Sequence, residues 1–174
     1  LMTKLGGMIA CQENADYVLE RDEMLGIYPE GIRGAFTMYR EAYRLGKFGR
    51  DEFVKMALRH RAPLVPFVTV GNAEIFPIFA RIDWSWWKRW TEWPFFPIAP
   101  PWPLAPVPLP SKWHTQFLPP LHIEDRYPPE AADDPVAVHA ISQEVRSSMQ
   151  EAVDGMLRRR KGIFFGSLFE GEMS

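Results

Sequence analysis

Glu30 and Arg33 stand on either side of Gly31 in the stretch Tyr28-Pro29-Glu30-Gly31-Ile32-Arg33. A carboxylate and a guanidinium at this spacing can work on one anionic substrate: the guanidinium grips a phosphate through a forked pair of hydrogen bonds, and the carboxylate orients it or a nearby hydroxyl. Pro29 fixes its own φ, and Gly31 accepts backbone conformations that other residues avoid. The chain should therefore turn sharply here, present both charged groups on one side and let a substrate approach the backbone closely at Gly31.

Such a turn needs elements to hold it. Residues 24–28 form a short apolar run that reads as a strand, preceded by a helix over residues 13–22 with Ala15, Val18 and Leu19 on one side. A ligand-binding turn at a strand end is the arrangement of open α/β folds. Downstream, residues 38–50 carry Arg40, Arg44, Lys47 and Arg50. They read either as a solvated loop or as a wall of positive charge facing an anionic substrate. Asp51 is placed to cap a helix running to about His60, with Phe53, Val54, Met56 and Ala57 facing the sheet. Arg59, His60 and Arg61 at its end complement the helix dipole, so His60 reads as a surface helix-end residue. Residues 64–70, Leu-Val-Pro-Phe-Val-Thr-Val, then read as a buried strand.

Residues 28–34 and 64–70, in this order and spacing, resemble two sequence blocks of the glycerolipid acyltransferase superfamily, the enzymes like 1-acyl-glycerol-3-phosphate acyltransferase. One block reads roughly Phe-Pro-Glu-Gly-Thr-Arg-Ser after a strand; the other is an apolar strand built around Val-Pro. The resemblance continues through Gly71-Asn72-Ala73-Glu74 and a Pro-rich stretch to Leu109-Pro110-Ser111-Lys112-Trp113. It implies an α/β fold, a mixed sheet flanked by helices in αβα layers, with its N-terminal part missing. It also implies transfer of a fatty acyl group from acyl-CoA or acyl carrier protein to a glycerolipid hydroxyl. The donor is a substrate, and no cofactor or metal is implied.

The block that supplies the base in this superfamily, a His followed by four residues and an Asp, lies upstream of the Glu-Gly-x-Arg turn. Here no His precedes Glu30, and none of His60, His114, His122 and His139 has an Asp five positions later. His139 has Glu144 at that distance, but within one amphipathic helix far downstream. The chain is accordingly expected to be a fragment with no catalytic residue of its own and no turnover alone. Its contribution to the reaction would be substrate binding through Glu30, Gly31 and Arg33, while the missing His would take the hydroxyl proton. Two departures bear on the acceptor: Ile32 stands where the family commonly has Thr, and Gly34 where it commonly has Ser. Fewer hydroxyls mean fewer phosphate contacts, so a neutral mono- or diacylglycerol stands beside lysophosphatidate. The Arg of the family's second block is also absent from residues 6–14.

Residues 84–113 hold all seven tryptophans. Trp84, Trp86, Trp87 and Trp90 interleave with Lys88 and Arg89, a pattern that suits a bilayer headgroup region; the same aromatics would equally cover a core or an acyl groove. Residues 93–110 are uncharged but broken by prolines, which rules out a straight membrane-spanning helix. Residues 113–117 and 121–124 read as the last strands, with His114 and His122 facing solvent or local partners. Asp134-Pro135 starts a helix with Val138, Ile141, Val145, Met149, Ala152, Met156 and Leu157 on one face. Arg158-Arg159-Arg160-Lys161 before Gly162 complements the dipole at its end or binds anionic lipid, and residues 163–166 dock on the domain or touch the membrane.

The 174 residues make one partial acyltransferase domain: residues 1–80 with both blocks, 81–113 the Trp/Pro-rich segment, and 114–174 the last strands and helix. A net charge of −2 argues against nucleic acid as a partner, and the single Cys11 excludes an intrachain disulfide. The expected partners are the acyl donor, the glycerolipid acceptor and a membrane surface, the last from the cytoplasmic side and without a span. A noncatalytic lipid-binding module on the same fold is the alternative. A hydrolase using His60 or His122 lacks a Gly-x-Ser-x-Gly elbow.

Overall fold

The computed structural model describes residues 11–31, 34, 37–48, 51–91, 95–98 and 108–163. The protein is α/β, with helices and small antiparallel sheets. Its elements are α1 (Gln12–Leu19), α2 (Glu52–Arg59), β1 (Phe67–Val70), β2 (Ala80–Ile82), α3 (Ser85–Thr91), β3 (Phe96–Ile98), β4 (His114–Phe117) and α4 (Pro135–Arg159), with short 3₁₀ turns at Tyr39–Glu41, Ile123–Asp125 and Pro129–Asp133. They divide between two compact units. The first comprises Leu1–Pro29, Phe48–Pro66 and Pro119–Val145; the second comprises Glu30–Lys47, Phe67–Leu118 and Arg146–Ser174.

In the first unit α2 buries Phe53, Val54, Ala57 and Leu58. Leu58 is buried where Met56 was expected, and the helix packs on the 3₁₀ turns at Ile123–Asp125 and Pro129–Asp133. Ile123, Val138 and Ile141 complete this core. Asp51 flanks α2 but makes no side-chain cap; its carboxylate meets His139 Nδ1 at 3.2 Å. The cap expected for α4 is present, with Asp134 Oδ1 accepting the Val136 N–H at 2.9 Å. Residues 23–28 form no strand. Met24 and Tyr28 are 97% and 76% exposed, so the run has no buried face to fix a register, and Gly26 weakens it further.

In the second unit β1 pairs antiparallel with β4, from Phe67 opposite Phe117 to Val70 opposite His114. The strand expected over residues 64–70 is shorter because Pro63 and Pro66 lack the N–H that a ladder needs. In the first unit, Leu64 instead makes a single bridge to Leu121. β1 is not buried on both faces: Val68 and Val70 are buried while Phe67 and Thr69 are only partly covered, the alternation of a sheet with one core face. Val68 and Val70 meet Val153 and Met156 of α4, with Tyr43, Leu118 and Met149 around them. β2 and β3 form a separate antiparallel pair connected through α3. Among the described residues no helix is long and apolar enough to cross a membrane.

Candidate functional site

The turn at Pro29-Glu30-Gly31 forms as the sequence predicts. Gly31 has φ +58, in the left-handed region that favours glycine, and its carbonyl accepts the Gly34 N–H at 3.2 Å. Glu30 folds back over the turn and takes the Gly46 N–H on Oε1. Its other oxygen lies where a side chain at position 34 would begin: a Cβ on Gly34 would sit 2.6 Å from Oε2 and 2.9 Å from the Glu30 Cβ. A side chain at position 34 would therefore require the Glu30 side chain to shift. Arg33 and Ile32 lie outside the described residues.

Glu30 leads to a second set of groups that sequence reasoning did not single out. Residues 43–46 form a loop whose backbone is held by side chains. The Tyr43 carbonyl accepts Gln150 Nε2 at 3.0 Å, and the Leu45 N–H donates to Gln150 Oε1 at 2.8 Å. Arg146 donates to the carbonyls of Leu45 at 2.7 Å and Gly46 at 2.8 Å. Arg146 and Gln150 are one helical turn apart on α4, so they share the face that this loop crosses.

The loop is anchored at Tyr43, whose own backbone is left-handed at φ +68. Its hydroxyl donates to Glu74 Oε2 and accepts the Gly71 N–H at 2.8 Å. Gly71 has φ +109, and a Cβ there would strike the Lys112 carbonyl. The other Glu74 oxygen receives Arg160 Nη1 at 2.5 Å, with both side chains at most 9% exposed. Arg160 also donates to the carbonyls of Gly162 and Ile163. Burial, reinforced by the hydrogen bond to Glu74, pushes the Tyr43 phenol up to about 12. Burial works to lower the proton affinity of Arg160, but the hydrogen bond and charge of Glu74 outweigh it and hold the guanidinium above its ordinary value. Arg160 is thus a buried ion-pair partner and departs from the dipole or lipid role expected of the whole basic run.

His60, His122 and His139 each meet a carboxylate. His60 Nε2 meets Asp16 Oδ1 at 2.7 Å, tying the end of α2 to α1, so it is more buried than a helix-end surface residue. His122 Nδ1 meets Glu124 at 2.8 Å. His122, Glu124 and Asp125 bring ligand atoms within 4.8 Å of one another at the surface, as surface acidic groups often do without an ion. On α3, Trp86 and Trp90 are exposed, while Trp87 packs its ring on Phe96 with centroids 4.8 Å apart. Lys88 pairs with Asp83 at 2.9 Å, and Arg40 with Glu41 at 3.4 Å.

The diacylglycerol acyltransferase family profile matches residues 1–95, and the chain belongs to that family. Uncharacterized proteins of Mycobacterium tuberculosis and Mycobacterium leprae are 38% identical over 167 residues, covering 94% of this chain and 46% and 45% of their own lengths. The chain thus spans about half the length of these relatives. Phytyl ester synthase 2 of Arabidopsis thaliana is 34% identical over 74 residues, 42% of this chain and 11% of that protein. No solved structure matches the chain.

Proposed function

We propose that the protein moves a fatty acyl group from a thioester, acyl-CoA or acyl carrier protein, to the hydroxyl of a neutral glycerolipid, with this chain supplying substrate-binding elements. The acyl carbon–sulfur bond breaks, the ester carbon–oxygen bond forms, and the hydroxyl proton leaves with a base and ends on the released thiol. The observation that carries this reading is the Glu30–Gly31 turn, left-handed at Gly31 and lying within the family match. Loss of the phosphate-binding hydroxyls supports a neutral acceptor: Ile32 and Gly34 replace them, and Glu30 fills the space at position 34. The family description and the ester-forming relative point the same way. Arg33 then serves a phosphate of the donor, or of the acceptor if that carries one.

The proposed partners include a membrane surface. Exposed Trp84, Trp86 and Trp90 beside exposed Arg89 support it, since aromatic rings and basic groups together suit a lipid headgroup layer. Free CoA released from acyl-CoA by the full-length protein, with diacylglycerol or lysophosphatidate as acceptor, tests the reaction and the acceptor together. Faster release with diacylglycerol is expected. Faster release with lysophosphatidate overturns the neutral acceptor, and lipid binding without release with either favours a noncatalytic module.

A further inference from the structure

We infer that the 43–46 loop is a positioning frame for the Glu30 turn, and that Tyr43, Glu74, Arg146 and Gln150 are positioning residues for the substrate bound there. This rests on the acyltransferase reading of the turn. Glu30 has its hydrogen bond to the Gly46 N–H, and Gly46 is one residue of a loop with hardly any backbone freedom left. Within four residues the carbonyls of Tyr43, Leu45 and Gly46 and the N–H groups of Leu45 and Gly46 are all taken, four of these five groups by α4 side chains and the last by Glu30. Polar loop backbone on a surface ordinarily turns to water; here it is locked by residues 100 or more positions away in sequence.

Two features argue that the frame is more than core packing. Tyr43 holds a left-handed backbone that a bulky residue adopts only when its surroundings over-determine it, and such strain gathers at sites where geometry matters. Its hydroxyl is set between the Gly71 N–H and a Glu74 carboxylate that Arg160 holds from the other side, so rotating Tyr43 unpairs Glu74 Oε2 and the Gly71 N–H, and rotating Glu74 strands the buried charge of Arg160. The frame therefore fixes where Gly46 presents its N–H. That fixes the Glu30 carboxylate, and with it the turn at Gly31. A misplacement of this kind acts on substrate binding at a distance from the altered residue.

The test compares Gln150→Ala, Glu30→Ala, Arg33→Ala and the Glu30→Ala/Gln150→Ala double variant in the full-length protein, with KM measured separately for acyl-CoA and diacylglycerol. Gln150→Ala should raise the KM of whichever substrate Arg33→Ala affects, by about tenfold, the scale of one lost charge-assisted contact, and leave the other KM unchanged. The double variant should be no worse than Glu30→Ala alone, because both act through one path. Additive losses, or a lowered thermal midpoint with unchanged KM values, would overturn the frame. Hydrogen exchange at the Gly46 amide keeps the two readings apart. It should quicken in Gln150→Ala as it does in Glu30→Ala; unchanged exchange overturns the frame even if the wild-type protein proves to transfer no acyl group, a result that would sink the acyltransferase reading by itself.

Discussion

At the scale of single residues, the most consequential pair is Glu74 and Arg160, because removing one leaves the other charged, buried and without its partner. Glu74→Ala should cost about 3–5 kcal/mol of stability, read from denaturant unfolding. A loss below 1 kcal/mol, the range of an exposed pair, would mean that water reaches Arg160. Tyr43 makes a pH prediction. Its phenol ionises near 12 in the fold against 10.0 ordinarily, so the unfolded chain gives up its proton first as pH rises. Stability present below pH 10 is therefore lost between pH 10 and about 12. The unfolding midpoint of wild type should fall more steeply across this window than that of Tyr43→Phe, and parallel curves would contradict the burial of the hydroxyl. Little of this was legible beforehand. Glu30 and Gly31 announce themselves through a turn motif, but Arg160 is hidden in a run of four basic residues whose dipole role already explains it, and Gln150 is one polar position of a long helix. Glu74 sits in a stretch where the resemblance assigned no role. What singles these residues out is a set of partners 31 to 107 positions away, which no local pattern records.

Elements were legible where a single helix or turn explains them. Residues 13–22 and 51–60 carry apolar stripes at helical spacing, and α1 and α2 follow them within a few residues; Asp134-Pro135 marks the start of α4. Strands were harder. The run at 24–28 has apolar content but joins no strand among the described residues, whereas residues 113–117, read as a strand, form β4 and pair with β1. In α3 the expectation of interfacial tryptophans divides by residue. Trp86 and Trp90 are exposed, so replacing both with Ser should reduce co-sedimentation with anionic vesicles and leave the thermal midpoint unchanged. Trp87, packed on Phe96, should instead lower the midpoint when replaced. A fall in midpoint with the first pair, at unchanged vesicle binding per folded molecule, would place those rings in packing. Salt should weaken the part carried by Arg89, worth about 1 kcal/mol near an anionic surface, more than the part carried by Lys88, whose charge Asp83 already offsets.

At the scale of the molecule, family membership and the turn bear on the same reaction from different sides. The family profile covers residues 1–95, whereas the frame that holds the turn draws on α4, beyond that range. The C-terminal half of this chain is thus tied to the site by hydrogen bonds that the family match does not describe. The chain spans about half the length of its mycobacterial relatives, so the proposed reaction is to be tested in full-length protein. The most direct measurement is the steady-state kinetics of Arg33→Ala and Arg33→Lys in full-length protein, with free CoA as the readout. Arg33→Ala should lose roughly 2–4 kcal/mol in kcat/KM, as expected when a charged hydrogen bond to substrate goes, and Arg33→Lys should recover only part of it because a single ammonium does not reproduce the forked contact. Unchanged kinetics in both variants would contradict the assignment and leave the turn a structural feature alone.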